Sequence, residues 1–361
     1  MSLINLGIRH FRNLQSVDFE PAPDLNIIVG ENASGKTSVL EAIYFLGRAT
    51  SFRTNRFDRM LQKGQNTLSV YGKQKSKNGQ IVPFGVQKDA KTVKIRINEQ
   101  KITKVSDLVE NLPLQVIHPN SHQLLEEGPK YRRRFLDWGV FHVEQNFYPA
   151  WQRYQKALKQ RNMALRNQSS LSLVSVWDNE LLESGQVLHE ARKLYLQDLQ
   201  ELLHLYIDPI LGETGARVEY QQGWQKGLDF TEALKQSFES DRERGFTTVG
   251  PQRADVKILI GDVLAHERIS RGQQKILVTA LLLAQAGLFY NKTGKKCILL
   301  IDDVAAELDE GNRQALLSIL MDMDVQMFLT SIEKQSLASM LESDRPGKMF
   351  HVEHGNLSEV I

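Results

Sequence analysis

Residues 30–38 read GENASGKTS and lie between an apolar run, Leu25–Val29, and a helix-like run, Val39–Leu46. Strand, G-x-x-x-x-G-K-[ST] loop and helix in that order constrain the chain more than any other feature, because they commit it to an α/β unit that holds a phosphate. Gly30 and Gly35 allow backbone angles that turn successive N–H groups toward phosphate oxygens. The helix that starts there adds its positive dipole end. Lys36 can reach the β- and γ-phosphates, and the Thr37 hydroxyl is placed to ligate Mg²⁺. The candidate nucleotide loop is therefore Gly30, Glu31, Asn32, Ala33, Ser34, Gly35, Lys36, Thr37 and Ser38. The loop alone does not separate a kinase from a GTPase, a helicase or a transporter motor.

Bulk properties remove several classes. The chain has 361 residues, 41% hydrophobic and 24% charged, which describes an ordinary globular protein. A net charge of +2 gives no global basic field, so any nucleic-acid surface must be a local patch. One cysteine, Cys297, excludes an internal disulfide framework and fits a reducing cytosol. The opening residues MSLINLGIRH lack the layout of a signal peptide, and the apolar stretch Ile276–Tyr290 is short for a bilayer and broken by Gln285. A cytoplasmic location is expected.

Alternating apolar and polar residues suggest two or three strands before the loop, and short β-like runs at 67–73, 82–87 and 92–97 suggest a β-rich first lobe. Residues 130–240 turn to long polar helices. Leu181, Leu188, Tyr195 and Leu202 fall seven apart, with Ala191 and Leu199 on the same face, and Pro209 is expected to stop that helix. Strand and helix signals then alternate at 256–260, 273–290, 297–301, 311–321 and 326–329. The expected division is an N-terminal head half over 1–125, a helical arm insertion over 126–245 and a C-terminal head half over 246–361.

Two further stretches complete the site. CILLIDD, 297–303, is an apolar strand ending in an acidic pair. Asp302 would hold Mg²⁺, and Asp303 would orient or deprotonate the attacking water. SRGQQK, 270–275, opens an apolar helix, where Ser270 is either an ordinary N-cap or part of an anion clamp. Phosphate loop, distant Ser-x-Gly-Gln helix and acidic strand, in that order, resemble the ABC ATPases. The resemblance implies an ABC-type P-loop ATPase head that dimerises on ATP, with Ser270, Gly272 and Gln273 of one subunit closing on the nucleotide of the other. It also places Asp309 in the D-loop position and Thr330 where many relatives carry a switch histidine. Asp303 stands where many have Glu, and these two departures predict slow hydrolysis. Gln115 or Asn120 would be the residue that links the lobes.

The opening INLGIRHFRNL is similar to the first strand of the SMC-like, chromosome-maintenance branch of that family, in which an Arg-Asn pair, here Arg12 and Asn13, approaches the nucleotide. FRNL, GENASGKTSVLEAIYFLGRATSFRT, GPKYRRRFLDWGVFHVE, LKQRNMALR, GPQRADV, SRGQQKILVTALLLA and IDDVAAELD resemble the RecF family of recombination mediator ATPases over nearly the whole chain. Gln252 departs from the usual His of that family's GPHR stretch. The resemblance implies an ATP-driven homodimer on gapped DNA or single-strand/duplex junctions, with RecR and RecO as partners and RecA loading as the outcome. Residues 130–166 carry nine Lys/Arg against two acids, and 48–63 carry five against one. Lys130, Arg132, Arg133, Arg134, Arg53 and Arg56 are the DNA candidates, against the alternative that they are solvated or pair internally. The rival reading is the motor subunit of a membrane transporter.

Overall fold

The structure, a computed structural model, describes the chain apart from residues 77, 213–214, 304–307, 333–336, 338, 343 and 361, and the side chain of 339. It divides into two compact units, one of Met1–Ser121 with Phe289–Ile361 and one of His122–Leu288. In chain order the strands are β1 (Ser2–Phe11), β2 (Leu14–Phe19), β3 (Leu25–Val29), β4 (Leu68–Lys75), β5 (Ile81–Lys88), β6 (Val93–Ile97), β7 (Gln100–Ile102) and β8 (Leu114–Ile117). They continue with β9 (Ala216–Gln221), β10 (Asp255–Ile260), β11 (Val263–Leu264), β12 (Cys297–Ile301), β13 (Val325–Ser331), β14 (Gly347–Glu353) and β15 (Asn356–Glu359).

The first unit holds two sheets among the described residues. One is antiparallel, in the order β2-β1-β4-β5-β6-β7. In β4 the buried residues Leu68 and Val70 alternate with outward ones, as a sheet with one wet face requires. The other runs β15-β14-β3-β13-β12-β8, parallel except for the final β14–β15 hairpin. Its central strands β3, β12 and β13 are buried at every position, which is why β12 reads as an unbroken apolar run and β3 and β13 as mostly apolar ones. Helix Lys36–Arg48 shares one core with residues of both sheets, including Leu46, Val70, Leu300 and Phe350. Two buried amides tie the layers. Gln326 accepts from Leu3 N (2.7 Å) and donates to Leu3 O and Ala22 O, both 2.8 Å. Asn26 accepts from Ala22 N and donates to Ala22 O and Met327 O.

The second unit packs helices Pro129–Val143, Phe147–Arg166 and Asp178–Leu211 with the sheet β11-β10-β9. Leu181, Leu188 and Tyr195 of the seven-residue stripe are buried with Leu199, and Leu202 and Ala191 are half-buried against the same cluster, so the stripe is a core face. That helix does not stop at Pro209 but ends at Leu211. Proline leaves the Leu205 carbonyl without its helical donor, but Leu205 is exposed, so water can take that place, and Gly212 with φ 74° then turns the chain. The expected boundary at 245/246 differs from the boundary at 288/289. Residues 246–288 group with the helical segment because β10 pairs with β9 from Asp255↔Gln221 to Ile260↔Ala216, and Val256, Ile258, Leu277 and Leu281 enter its core. The boundary falls inside helix Arg271–Thr293. This helix is long and apolar enough to cross a membrane, but 67% of its most apolar window is buried, as in a core helix.

Candidate nucleotide site

Gly35, with φ 125° and ψ 4°, caps helix Lys36–Arg48, and Val39 N donates to its carbonyl at 3.1 Å. Glu31, Asn32 and Ala33 are exposed around the turn, with Ala33 at φ 64°. Lys36 is 4% exposed, and its ammonium donates to Gly30 O (2.9 Å) and Glu31 O (3.0 Å). At the second residue of the helix, the Thr37 hydroxyl donates to Asp302 Oδ1 at 2.9 Å. That bond joins the two motifs read from sequence, 265 residues apart.

Parallel pairing makes this meeting geometric, since β3, β13 and β12 are neighbours and end on the same edge. Asp302 follows β12 and is 6% exposed. Burial pushes its carboxyl above the ordinary range, and the neighbouring Asp303 adds to that, while hydrogen bonds from Thr37 and Thr330 oppose it. Thr330 Oγ1 donates to Asp302 Oδ1 at 3.0 Å and accepts from Asp303 N at 2.9 Å. It therefore links the acidic pair. Asp303 sits at φ 49°, a left-handed conformation that a non-glycine residue holds at some cost.

The donor chemistry fits Mg²⁺. A hydroxyl and a carboxylate are hard oxygen ligands, and among the described residues no cluster of three or more His, Cys, Asp or Glu forms a cage. Mg²⁺ commonly uses one or two protein oxygens, completing its shell with water and phosphate.

Arg12 opens the two-residue turn between β1 and β2. At φ 57°, its guanidinium forks Glu41, a fully buried carboxylate on the loop helix, at 2.8 and 2.7 Å. Ser51 also donates to Glu41, and Arg53, half exposed, lies 3.4 Å from it. Arg12 thus braces the loop helix. Arg56 is exposed and pairs with Asp58.

The signature residues lie in the second unit. Ser270 Oγ accepts from Gln273 N at 3.3 Å, and Gln273 Oε1 accepts from Ser270 N at 3.1 Å. This is a reciprocal capping box on helix Arg271–Thr293. Ser270, Gly272 and Gln273 are exposed, and a Cβ on Gly272 would meet nothing nearer than Ser270 Oγ at 4.0 Å. Packing within the chain gives no reason for a glycine there. Asp309 caps helix Glu310–Asp322 by accepting from Asn312 N, and that bond holds its carboxyl below the usual range. Glu307, in the same motif, lies outside the described residues.

The basic run divides. Arg132 forks Asp255 at 2.8 and 3.0 Å, and Arg133 donates to Ala254 O at 2.8 Å. These two hold the 251–255 turn, while Lys130 and Arg134 are exposed. Gln115 is buried on β8 opposite Leu299 of β12, and Asn120 is exposed in the turn that follows. Sequence reasoning missed Glu41, because nothing in a helical apolar run marks one acid as a doubly paired anchor. It also missed the strand β8 and the β14–β15 hairpin.

Against known proteins, residues 2–358 match the model of the RecF/RecN/SMC N terminal domain. The chain is 40% identical over 361 residues, all of both chains, to the DNA replication and repair protein RecF of Shewanella piezotolerans. It is 41% identical to the protein of that name from Pseudomonas aeruginosa, covering 99% of this chain and 98% of that one. A solved structure of the recombination mediator protein RecF with ATP, from the RecFOR pathway, superimposes with a TM-score of 0.87 at 25% identity, covering 100% of this chain and 98% of that one. The Smc head domain of Pyrococcus furiosus shares the fold, with a TM-score of 0.61 at 13% identity over 99% and 96% of the two chains.

Proposed function

The chain belongs to the RecF/RecN/SMC N terminal domain family, on its RecF side, and from that premise we propose that it is an ATP-dependent DNA-binding repair switch. The observation that carries the reading is the 2.9 Å bond from Thr37 to Asp302, which brings phosphate loop and acidic strand into one site. Bound MgATP would supply the phosphoanhydride to be cleaved. Lys36 would exchange the Gly30 and Glu31 carbonyls for phosphate oxygens, and the loop amides would point at the same anion. Asp302 and Thr37 would hold Mg²⁺, while Asp303, fixed through Thr330, would orient the water.

Closure by a second copy completes the reading. Ser270, Gly272 and Gln273 would face the partner's nucleotide, and the open space over Gly272 supports a close approach there. The closed homodimer would hold gapped DNA or a single-strand/duplex junction in the cytoplasm, with Lys130, Arg134, Arg53 and Arg56 as phosphate contacts. Slow hydrolysis would release it. RecR and RecO would be partners, and RecA loading the outcome, by analogy with the RecFOR pathway named for the ATP-bound relative. The transporter-motor reading has no support, since the curated relatives described above are repair proteins.

The test is molar mass by light scattering with ATP and Mg²⁺, followed by retention of a gapped duplex at several salt concentrations. Wild type should dimerise on ATP, and Ser270→Arg and Gly272→Glu should both stay monomeric. Gly272→Glu leaves the capping box in place, so its failure to dimerise cannot come from a lost cap. If both variants dimerise normally, closure in trans is wrong.

A further inference from the structure

We infer that Asn13 is a positioning residue that, together with the β14–β15 turn, holds the nucleotide loop in its binding conformation before any nucleotide arrives. The inference rests on the ATP-site reading and assigns Asn13 a role through the loop rather than on the ligand.

Asn13 lies in the two-residue turn between β1 and β2, and its side chain is exposed. Its amide nonetheless spans the loop. Nδ2 donates to Ser34 O at 2.9 Å, and Oδ1 accepts from Ser38 Oγ at 2.9 Å. One end of the amide holds the residue before Gly35, and the other holds the first turn of the helix after it. Ser34 O takes a second donor, Gly355 N at 3.1 Å, from the tight turn between β14 and β15. A loop carbonyl held by two donors on its outer side cannot rotate inward. Fixing that peptide plane fixes the N–H of Gly35 on the opposite side, where an anion would need it.

Two glycines show how closely these parts are fitted. A Cβ on Gly35 would lie 2.9 Å from Asn13 Nδ2, and Gly35 is at φ 125°. A Cβ on Gly355, at φ 79°, would lie 2.2 Å from Asn13 O. The β1–β2 turn, the β14–β15 turn and the nucleotide loop therefore meet at Asn13, and each turn contributes a donor to the same carbonyl. A turn residue that only reversed the chain would need neither Ser34 nor Ser38.

The experiment compares wild type with Asn13→Ala, Asn13→Asp, Ser38→Ala, Gly355→Ala and the Asn13→Ala/Ser38→Ala pair. It reads the Kd for MgATP, hydrogen exchange of the 30–38 amides in nucleotide-free protein, and the midpoint of urea unfolding. Asn13→Ala should raise Kd about fivefold, roughly the contribution of one hydrogen bond. It should speed exchange in the loop and leave the unfolding midpoint near that of wild type. Asn13→Asp, which swaps the donor for an oxygen against Ser34 O, should be at least as weak, and Gly355→Ala should speed exchange at the same amides. The double variant should cost less than the product of the singles, because both remove one contact. Unchanged Kd and exchange in Asn13→Ala overturn the inference, as do fully multiplicative effects with Ser38→Ala. If wild type itself binds no MgATP, the ATP-site reading fails, and exchange in the nucleotide-free variants still decides whether Asn13 braces the loop.

Discussion

The nucleotide loop of the first unit and the 246–255 turn of the second carry equally distinctive sequence, GENASGKTS and FTTVGPQRAD, yet they use charge in opposite ways. In the loop the one buried cation, Lys36, is held by neutral carbonyls that a phosphate can replace. Around the turn three arginines are already spent on carboxylates. Arg161, with 1% of its side chain exposed, reaches Asp241, Asp178 and Thr247 at 2.7–2.8 Å. Arg192 forks Asp137 and donates to Pro251 O, and Arg132 forks Asp255. A cation facing carbonyls can exchange partners with a ligand, whereas one locked to a buried carboxylate serves the fold. Motif strength in a sequence does not distinguish the two.

Substitutions at each place should separate these roles. Arg161→Met leaves Asp241 buried without its cation and should destabilise the protein by about 3–5 kcal/mol, read as a lowered urea midpoint. Lys36→Ala should instead leave the midpoint nearly unchanged and weaken MgATP by about 1.5–3 kcal/mol, the range for a hydrogen bond to a charged group, read by calorimetry. A large loss of stability in Lys36→Ala would erase the contrast. Thr330→Val removes the link between Asp302 and Asp303, and should lower kcat about tenfold with little change in nucleotide Kd. Within the basic run, Arg134→Met should reduce the salt slope of DNA retention by about one with unchanged stability. Arg132→Met should do the reverse.

A last, smaller difference is pH dependence. His189 packs between Tyr220 and Trp224 in the second unit, and burial lowers its pKa below 6.5. The unfolded chain then takes up the proton first. Stability should fall as pH drops through 6.5 and level off below the folded value. His189→Phe should flatten that part of the profile, and an unchanged slope would assign the effect elsewhere.

The meeting of the glycine loop with the acidic strand end was legible because the parts are local: a buried strand, a glycine loop and an acidic strand end each announce themselves in under ten residues. Strand β12 falls at Cys297–Ile301, where the apolar run places it. The pairings that bind the second unit were not legible, since Arg161–Asp241 and Arg132–Asp255 join residues 80 and 123 apart that look like any surface charges. Gln252 shows the same limit. In the structure its Nε2 donates to Thr247 O and Val249 O, and its Oε1 accepts from the Tyr154 hydroxyl, so it staples the turn. A histidine has a donor and an acceptor for part of that task, which is a physical reason for the exchange.

The buried amide of Gln326 has a consequence for how the molecule is made. Its bonds to Leu3 close a loop of 323 residues, and β3, which carries the nucleotide loop, finds both its sheet neighbours, β13 and β14, only near the far end of the chain. During synthesis the strand and loop emerge early and wait with unpaired edges, while the intervening helical segment can gather its own core from nearer contacts. The phosphate cradle thus cannot be complete until the β14–β15 turn has been made, since Gly355 N holds Ser34 O. Nucleotide binding on a growing chain would report that synthesis has passed residue 355.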